Sequence, residues 1–66
     1  MKIVLNGAPH DIRSACLSDL LDELGYAEGA KIATAVNEDF VPAPARAETT
    51  LAEGDRVEIL APMQGG

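Results

Sequence analysis

In this sequence a single stretch repeats its apolar residues at the period of an α-helix. Leu17, Leu20, Leu21 and Leu24 fall at i, i+3, i+4 and i+7, while Ser18, Asp19, Asp22 and Glu23 fill the opposite face. Gly25 follows as a left-handed C-cap. Asp19 in the first turn suits the positive end of the helix, although Cys16 at the N-cap position is a weaker cap than Ser or Thr. The rest of the chain is strand-like or punctuated by turns. With one helix to cover one face, the economical arrangement is a mixed sheet with the helix packed on it and the opposite face left open.

The strand-like segments read in order. Met1 to Leu5 is apolar and β-branched and stops at Asn6-Gly7, the pair that supplies positive φ for a tight hairpin turn. The return strand is expected at Ile12 and the residues around His10 to Arg13, with Pro9 at its start or on an edge because proline cannot donate to a ladder. Lys31 to Val36 reads as a third strand, with Ile32, Thr34 and Val36 on one face. Asn37-Glu38-Asp39 then turns the chain into Phe40-Val41. Pro42 and Pro44 break regular structure, and Ala43 to Thr50 is left as an irregular connection. Leu51 plugs the core, Glu53-Gly54-Asp55 is a turn, and Arg56 to Leu60 is the last strand, with Val57, Ile59 and Ala61 on one face. This makes an α+β domain over residues 1–66, with four to five strands, one helix and an extended tail over 61–66.

Size and charge narrow the function. A chain of 66 residues holds one small core and has little room for a catalytic cleft, which argues against a self-sufficient enzyme. Five basic against eleven acidic side chains give a net charge of −6, which repels nucleic acid and anionic membrane surfaces and favours a basic protein partner. Cys16 is the lone cysteine and has no internal disulfide partner. No secretory signal or membrane-length apolar run is present, so a soluble, cytoplasmic protein is expected.

The candidate site is the end of the chain. Ala61-Pro62-Met63-Gln64 follows the last strand and runs into Gly65-Gly66. With glycine at about 7% of average usage, two specified terminal glycines arise by chance in roughly 0.5% of chains, which sets a chemical reading beside that of a frayed terminus. Two residues without Cβ let a carboxylate thread a narrow channel and be activated by another protein. Gly66 would carry the chemistry and Gly65 would give it clearance. Pro62 would project the tail and Met63 would adapt to partner grooves. Leu60, with Val4, would be exposed on the open sheet face as a docking patch beside the tail.

Met1 to Gly7, the Leu17 to Leu24 stripe, Ala35 to Pro42, Ala47 to Leu51, Glu53 to Ile59 and Gly65-Gly66 together resemble the ThiS family of thiamine-biosynthesis sulfur carriers, over nearly the whole chain. The resemblance implies the ubiquitin-like β-grasp fold that this family shares with MoaD, the molybdopterin synthase small subunit. It also implies a protein substrate rather than an enzyme, in a reaction sequence with no cofactor bound to the protein. A ThiF-type adenylating enzyme uses ATP to adenylate the Gly66 carboxylate, and a persulfide derived from a cysteine desulfurase displaces AMP to leave a thiocarboxylate. Thiazole synthase then takes the sulfur. Gly65, Gln64, Met63, Pro62 and Leu60 would serve as the tail and partner-binding residues. Family members often have an aromatic residue and a more polar sequence where this chain has Ala43-Pro44-Ala45-Arg46, which concerns that loop and not the tail.

Three functions of different class stay open at this point: a sulfur carrier for thiazole or, as its nearest rival, for molybdopterin; a ubiquitin-like modifier joined through the same terminus to a lysine; and an interaction module that uses the open sheet face alone. Cys16 could carry a persulfide, but it has no identifiable base or resolving thiol, and the structural reading is preferred. His10 has no second His or Cys at ligand spacing, so no metal is expected. Asp19, Asp22 and Glu23 are a helix's polar face before they are an acid/base pair.

Overall fold

The computed structural model describes residues 1–27 and 29–61. Strand β1 (Lys2–Leu5) ends at Asn6 and Gly7, whose φ values of 48° and 85° are both left-handed, as a two-residue type I′ hairpin requires. The loop returns the chain as β2 (Ala8–Asp11). This strand begins earlier than the expected His10 to Arg13, because a two-residue turn places Ala8 directly opposite Leu5. Ile12 lies just beyond β2. Its N–H donates to the Met1 carbonyl at 2.8 Å, and its side chain is buried in the core. Since residue 12 bonds toward β1, alternation places the nitrogens of Pro9 and Asp11 on the outer side of this edge strand. Proline there forfeits no ladder bond and removes a donor from an exposed edge.

Helix α1 spans Leu17–Glu23 and buries Leu17, Leu20 and Leu21. Cys16 makes no side-chain cap bond; tertiary structure supplies the cap. The Leu17 N–H donates to the Thr49 carbonyl at 2.9 Å and the Leu51 N–H to the Ala15 carbonyl at 2.9 Å, around a β-bridge between Cys16 and Thr50. An orphan donor of the first turn is thereby satisfied by the chain entering the last third of the fold. At the other end Gly25 adopts φ 91°, with its N–H on the Asp22 carbonyl and the Tyr26 N–H on the Leu21 carbonyl. This is the paired-bond pattern of a Schellman cap.

Strand β3 (Ala33–Val36) starts later than the expected Lys31, because its partner β5 (Arg56–Leu60) ends at Leu60, opposite Ala33, leaving residues 31 and 32 no ladder to join. Asn37 and Glu38, at φ 51° and 74°, form a second left-handed turn into β4 (Asp39–Val41). The connection expected to be irregular is a 3-10 helix over Ala43–Glu48. Proline is tolerated in the first turn of a helix although not in its interior, and Pro44, the second helical residue, lies in that turn. Side chains then hold the turn in place. The Arg46 Nε donates to Thr34 Oγ1 at 3.1 Å, Arg46 Nη2 donates to the Ile32 carbonyl at 2.9 Å, and Thr49 Oγ1 donates to the Ala45 carbonyl at 2.8 Å.

The five strands form one sheet in the order β2-β1-β5-β3-β4. The central pair β1 and β5 is parallel, and the other neighbours are antiparallel. One face of the sheet meets α1 in a core of Ile3, Ile12, Leu17, Leu20, Leu21, Val41, Leu51, Val57 and Ile59. Thr34, the one polar side chain buried among the described residues, donates to the Val41 carbonyl at 2.7 Å and so carries no unpaired hydroxyl.

Candidate functional site: the end of strand β5 and the open sheet face

The alternation of β5 is buried at Val57 and Ile59 and exposed at Arg56, Glu58 and Leu60, as a strand covered on one face demands. Ala61 is exposed too and does not extend the inward set with Val57 and Ile59, because β5 and its ladder end at Leu60. The proposed tail residues Pro62, Met63, Gln64, Gly65 and Gly66 lie outside the described residues. Leu60 does not. It is 67% exposed on the open face, next to the point where the chain continues toward that tail.

The register shows what accompanies Leu60. Ala33 is directly opposite it, Ala35 is opposite Glu58, and Phe40 is opposite Ala35, so all five share the open face. Phe40 is 68% exposed. Together they line a shallow recess of about 130 Å³. Two alanines between the larger side chains leave the floor low, which permits an apolar group of another protein to enter. Val4, expected beside Leu60, is half-buried in β1 and pairs with Arg56 at the opposite end of β5. The apolar centre of the face therefore lies toward β3 and β4. Residue order alone does not single out Phe40, which simply follows the Asn37-Glu38-Asp39 turn. Its register opposite Ala35 is what turns it outward.

The β1 side of β5 is held in a different way. Asn6 donates its backbone N–H to the Val57 carbonyl at 2.9 Å. Its side chain then bonds Ile59 twice: Oδ1 accepts the Ile59 N–H at 2.8 Å, and Nδ2 donates to the Ile59 carbonyl at 3.2 Å. At the start of β5, Asn37 accepts the Arg56 N–H through Oδ1 at 2.9 Å and donates through Nδ2 to Asp55 Oδ1 at 3.0 Å. The last strand is thus tied by an asparagine at each end.

Cys16 is half-buried at the start of α1. Among the described residues no three His, Cys, Asp or Glu side chains gather in a way that could hold a metal. Glu23 is tied to the segment that precedes the helix. It accepts the backbone N–H groups of Arg13 and Ser14 at 3.0 and 3.1 Å and the Ser14 hydroxyl at 2.6 Å. The Ser14 hydroxyl first, and then the Arg13 N–H, hold its carboxyl below the ordinary glutamate range. No helix among the described residues is long and apolar enough to cross a membrane.

A five-stranded mixed sheet with a parallel central pair, one helix across one face and a last strand running into an apolar, glycine-ended tail defines a small ubiquitin-like protein of the β-grasp class. The sequence profile of the ThiS family matches residues 3–66, and the chain belongs to that family, whose members are small sulfur carriers and not themselves enzymes. The crystal structure of the thiamine biosynthesis protein ThiS from Geobacter metallireducens is similar, with a TM-score of 0.83 at 30% identity over 100% of both chains. A solution structure of a thiamine biosynthesis protein from the same organism gives a TM-score of 0.82 at 30% identity, covering 100% of this chain and 88% of that one. A comparison with curated proteins found no match. Membership of the family implies interaction with enzymes of thiamine biosynthesis.

Proposed function

We propose that this protein carries sulfur for thiazole formation as a thiocarboxylate on Gly66. The carrying observation is the family match over residues 3–66, which spans both the sheet and the glycine pair Gly65-Gly66. A carboxylate is a poor electrophile until one oxygen is made a leaving group. A ThiF-type adenylating enzyme would supply that step: the Gly66 carboxylate attacks the α-phosphorus of ATP and pyrophosphate leaves. The terminal sulfur of a persulfide, derived from a cysteine desulfurase, then attacks the acyl carbon and AMP departs. A thiol cleaves the resulting acyl disulfide, and the thiocarboxylate donates its sulfur to thiazole synthase. Gly65 keeps the approach to the carbonyl open, while Pro62, Met63 and Gln64 occupy the channel. Leu60 and Phe40 form the apolar centre of the docking face. The net charge of −6 suits a partner whose surface is basic around that centre.

The test is the intact mass after incubation with a ThiF-type enzyme, ATP and a persulfide donor. Exchange of oxygen for sulfur adds about 16 Da, localised by fragmentation to Gly66 and dependent on ATP. If an enzyme that is active on another carrier leaves this mass unchanged, the carrier reading fails and an interaction module takes its place. A protein extended beyond Gly66 that is not trimmed and still supports thiazole formation would overturn it equally.

A further inference from the structure

In a parallel ladder each strand alternately donates to and accepts from its neighbour. Val4 donates to the Asp55 carbonyl and Asn6 donates to the Val57 carbonyl, at 2.9 Å each. Were β1 to run on, the main-chain carbonyl of residue 6 would accept from the Ile59 N–H, and the N–H of residue 8 would donate to the Ile59 carbonyl. Instead, the left-handed φ of Asn6 and Gly7 folds the chain back into β2, and β5 outlasts its neighbour. The Asn6 side chain fills the gap. A carboxamide has the same oxygen and N–H as a peptide group, and here Oδ1 and Nδ2 meet the Ile59 N–H and carbonyl in the places that the missing peptide would occupy.

We propose that Asn6 is a positioning residue for the end of β5: its carboxamide extends β1 by one peptide unit and so fixes Ile59 and the strand end at Leu60 from which the chain continues to Ala61. The inference rests on the carrier reading above. On its other side β5 is paired to β3 through Ile59 and Leu60, so removing the Asn6 amide leaves the end of β5 held along one edge only. The point from which residue 61 continues is then fixed less tightly on the β1 side. The docking face, formed by Phe40, Ala33, Ala35 and Leu60 with Glu58, does not include Asn6 and keeps its shape. The consequence falls on how often a docked carrier presents its carboxylate to the nucleotide, and not on how tightly it docks.

The decisive variant is Asn6→Gly, which retains the left-handed turn as a Gly-Gly pair and deletes only the amide. Asn6→Asp is its companion: it keeps an oxygen for the Ile59 N–H but presents a second oxygen to the Ile59 carbonyl in place of the donor. Two readouts are taken against wild type under conditions where all three proteins are folded. Amide hydrogen exchange at Ile59 is expected to quicken by about tenfold or more in Asn6→Gly relative to Val57. The kcat for adenylation by a ThiF-type enzyme is expected to fall by about tenfold, with KM within about twofold, and Asn6→Asp is expected to lie between. Simple loss of stability would act the other way, since an unfolded fraction lowers the effective carrier concentration and raises apparent KM while kcat holds. Equal kcat in wild type and Asn6→Gly, or an effect confined to KM, overturns the proposal while leaving the carrier reading intact. A wild-type protein that is never adenylated overturns the carrier reading, and the proposal with it.

Discussion

Two side chains show how local chemistry is set against the needs of a turn. Glu38 sits at φ 74°, in the second position of a type I′ turn where glycine is the usual occupant, and a left-handed non-glycine residue costs about 1–2 kcal/mol. Part of that is recovered on replacing it, since glycine gives up more chain entropy on folding. Glu38→Gly is accordingly expected to stabilise the protein by about 0.5–1 kcal/mol in urea unfolding; a loss of stability would mean that the Glu38 side chain supplies something the hairpin needs. Glu23 is the counterpart at a helix end. Its carboxyl lies below its ordinary value through the Ser14 and Arg13 bonds, so the stability it lends is present above the unfolded-state pKa and is lost as pH falls through the folded-state value. Glu23→Gln should lower the urea midpoint near neutral pH and narrow its difference from wild type as the pH is taken down to about 3. An NMR titration of the carboxyl would locate the midpoint directly.

At the scale of elements, the 3-10 helix over Ala43–Glu48 is the piece that depends most on the rest of the fold. It buries no residue of its own and is held by Arg46, whose guanidinium spans Thr34 Oγ1 and the Ile32 carbonyl. Arg46→Ala should cost about 1–3 kcal/mol, the range for hydrogen bonds from a charged donor together with the acceptor left unpaired. That is a large share of the stability of a domain this small. Arg46→Lys should recover only part of it, because one ammonium does not reproduce a planar fork reaching two acceptors. Chemical denaturation of the two variants checks the order. The N-terminus of α1 makes the same point from another direction: Cys16 offers no side-chain cap, and the Thr49 carbonyl takes the Leu17 N–H instead. Cys16→Ser should therefore leave sulfur loading close to wild type, and loss of loading in that variant would mean that the thiol takes part in the transfer.

For the whole molecule, the proposed function depends on a division between a covered and an open sheet face. The covered face meets α1 and carries the stability. The open face sets Phe40 and Leu60 around two alanines beside the exit of the tail. Leu60→Glu adds a charge to that face of an already acidic protein and removes its apolar contact. It should weaken binding of a ThiF-type enzyme by tenfold or more, about 1.4 kcal/mol or above, and shift the unfolding free energy by no more than about 0.5 kcal/mol. Titration calorimetry and urea unfolding on the same protein separate the two. Unchanged affinity would remove the docking face.

Pattern within single elements was legible from residue order. The Leu17 to Leu24 stripe, Gly25 as its stop, the Asn6-Gly7 turn and the alternation of Arg56 to Leu60 each follow from the periodicity of one element and the conformational range of one residue, and these are properties of neighbours in the chain. The order of the strands, the start of β2 at Ala8, the 3-10 turn, the outward face of Phe40 and the second role of Asn6 were not. Each depends on which segment lies alongside: Leu5 opposite Ala8, Arg46 over Thr34, Phe40 opposite Ala35, the Asn6 amide against Ile59. Such pairings join residues as much as 53 positions apart, and they are settled by where backbone groups must find partners once the helix has taken its side of the sheet.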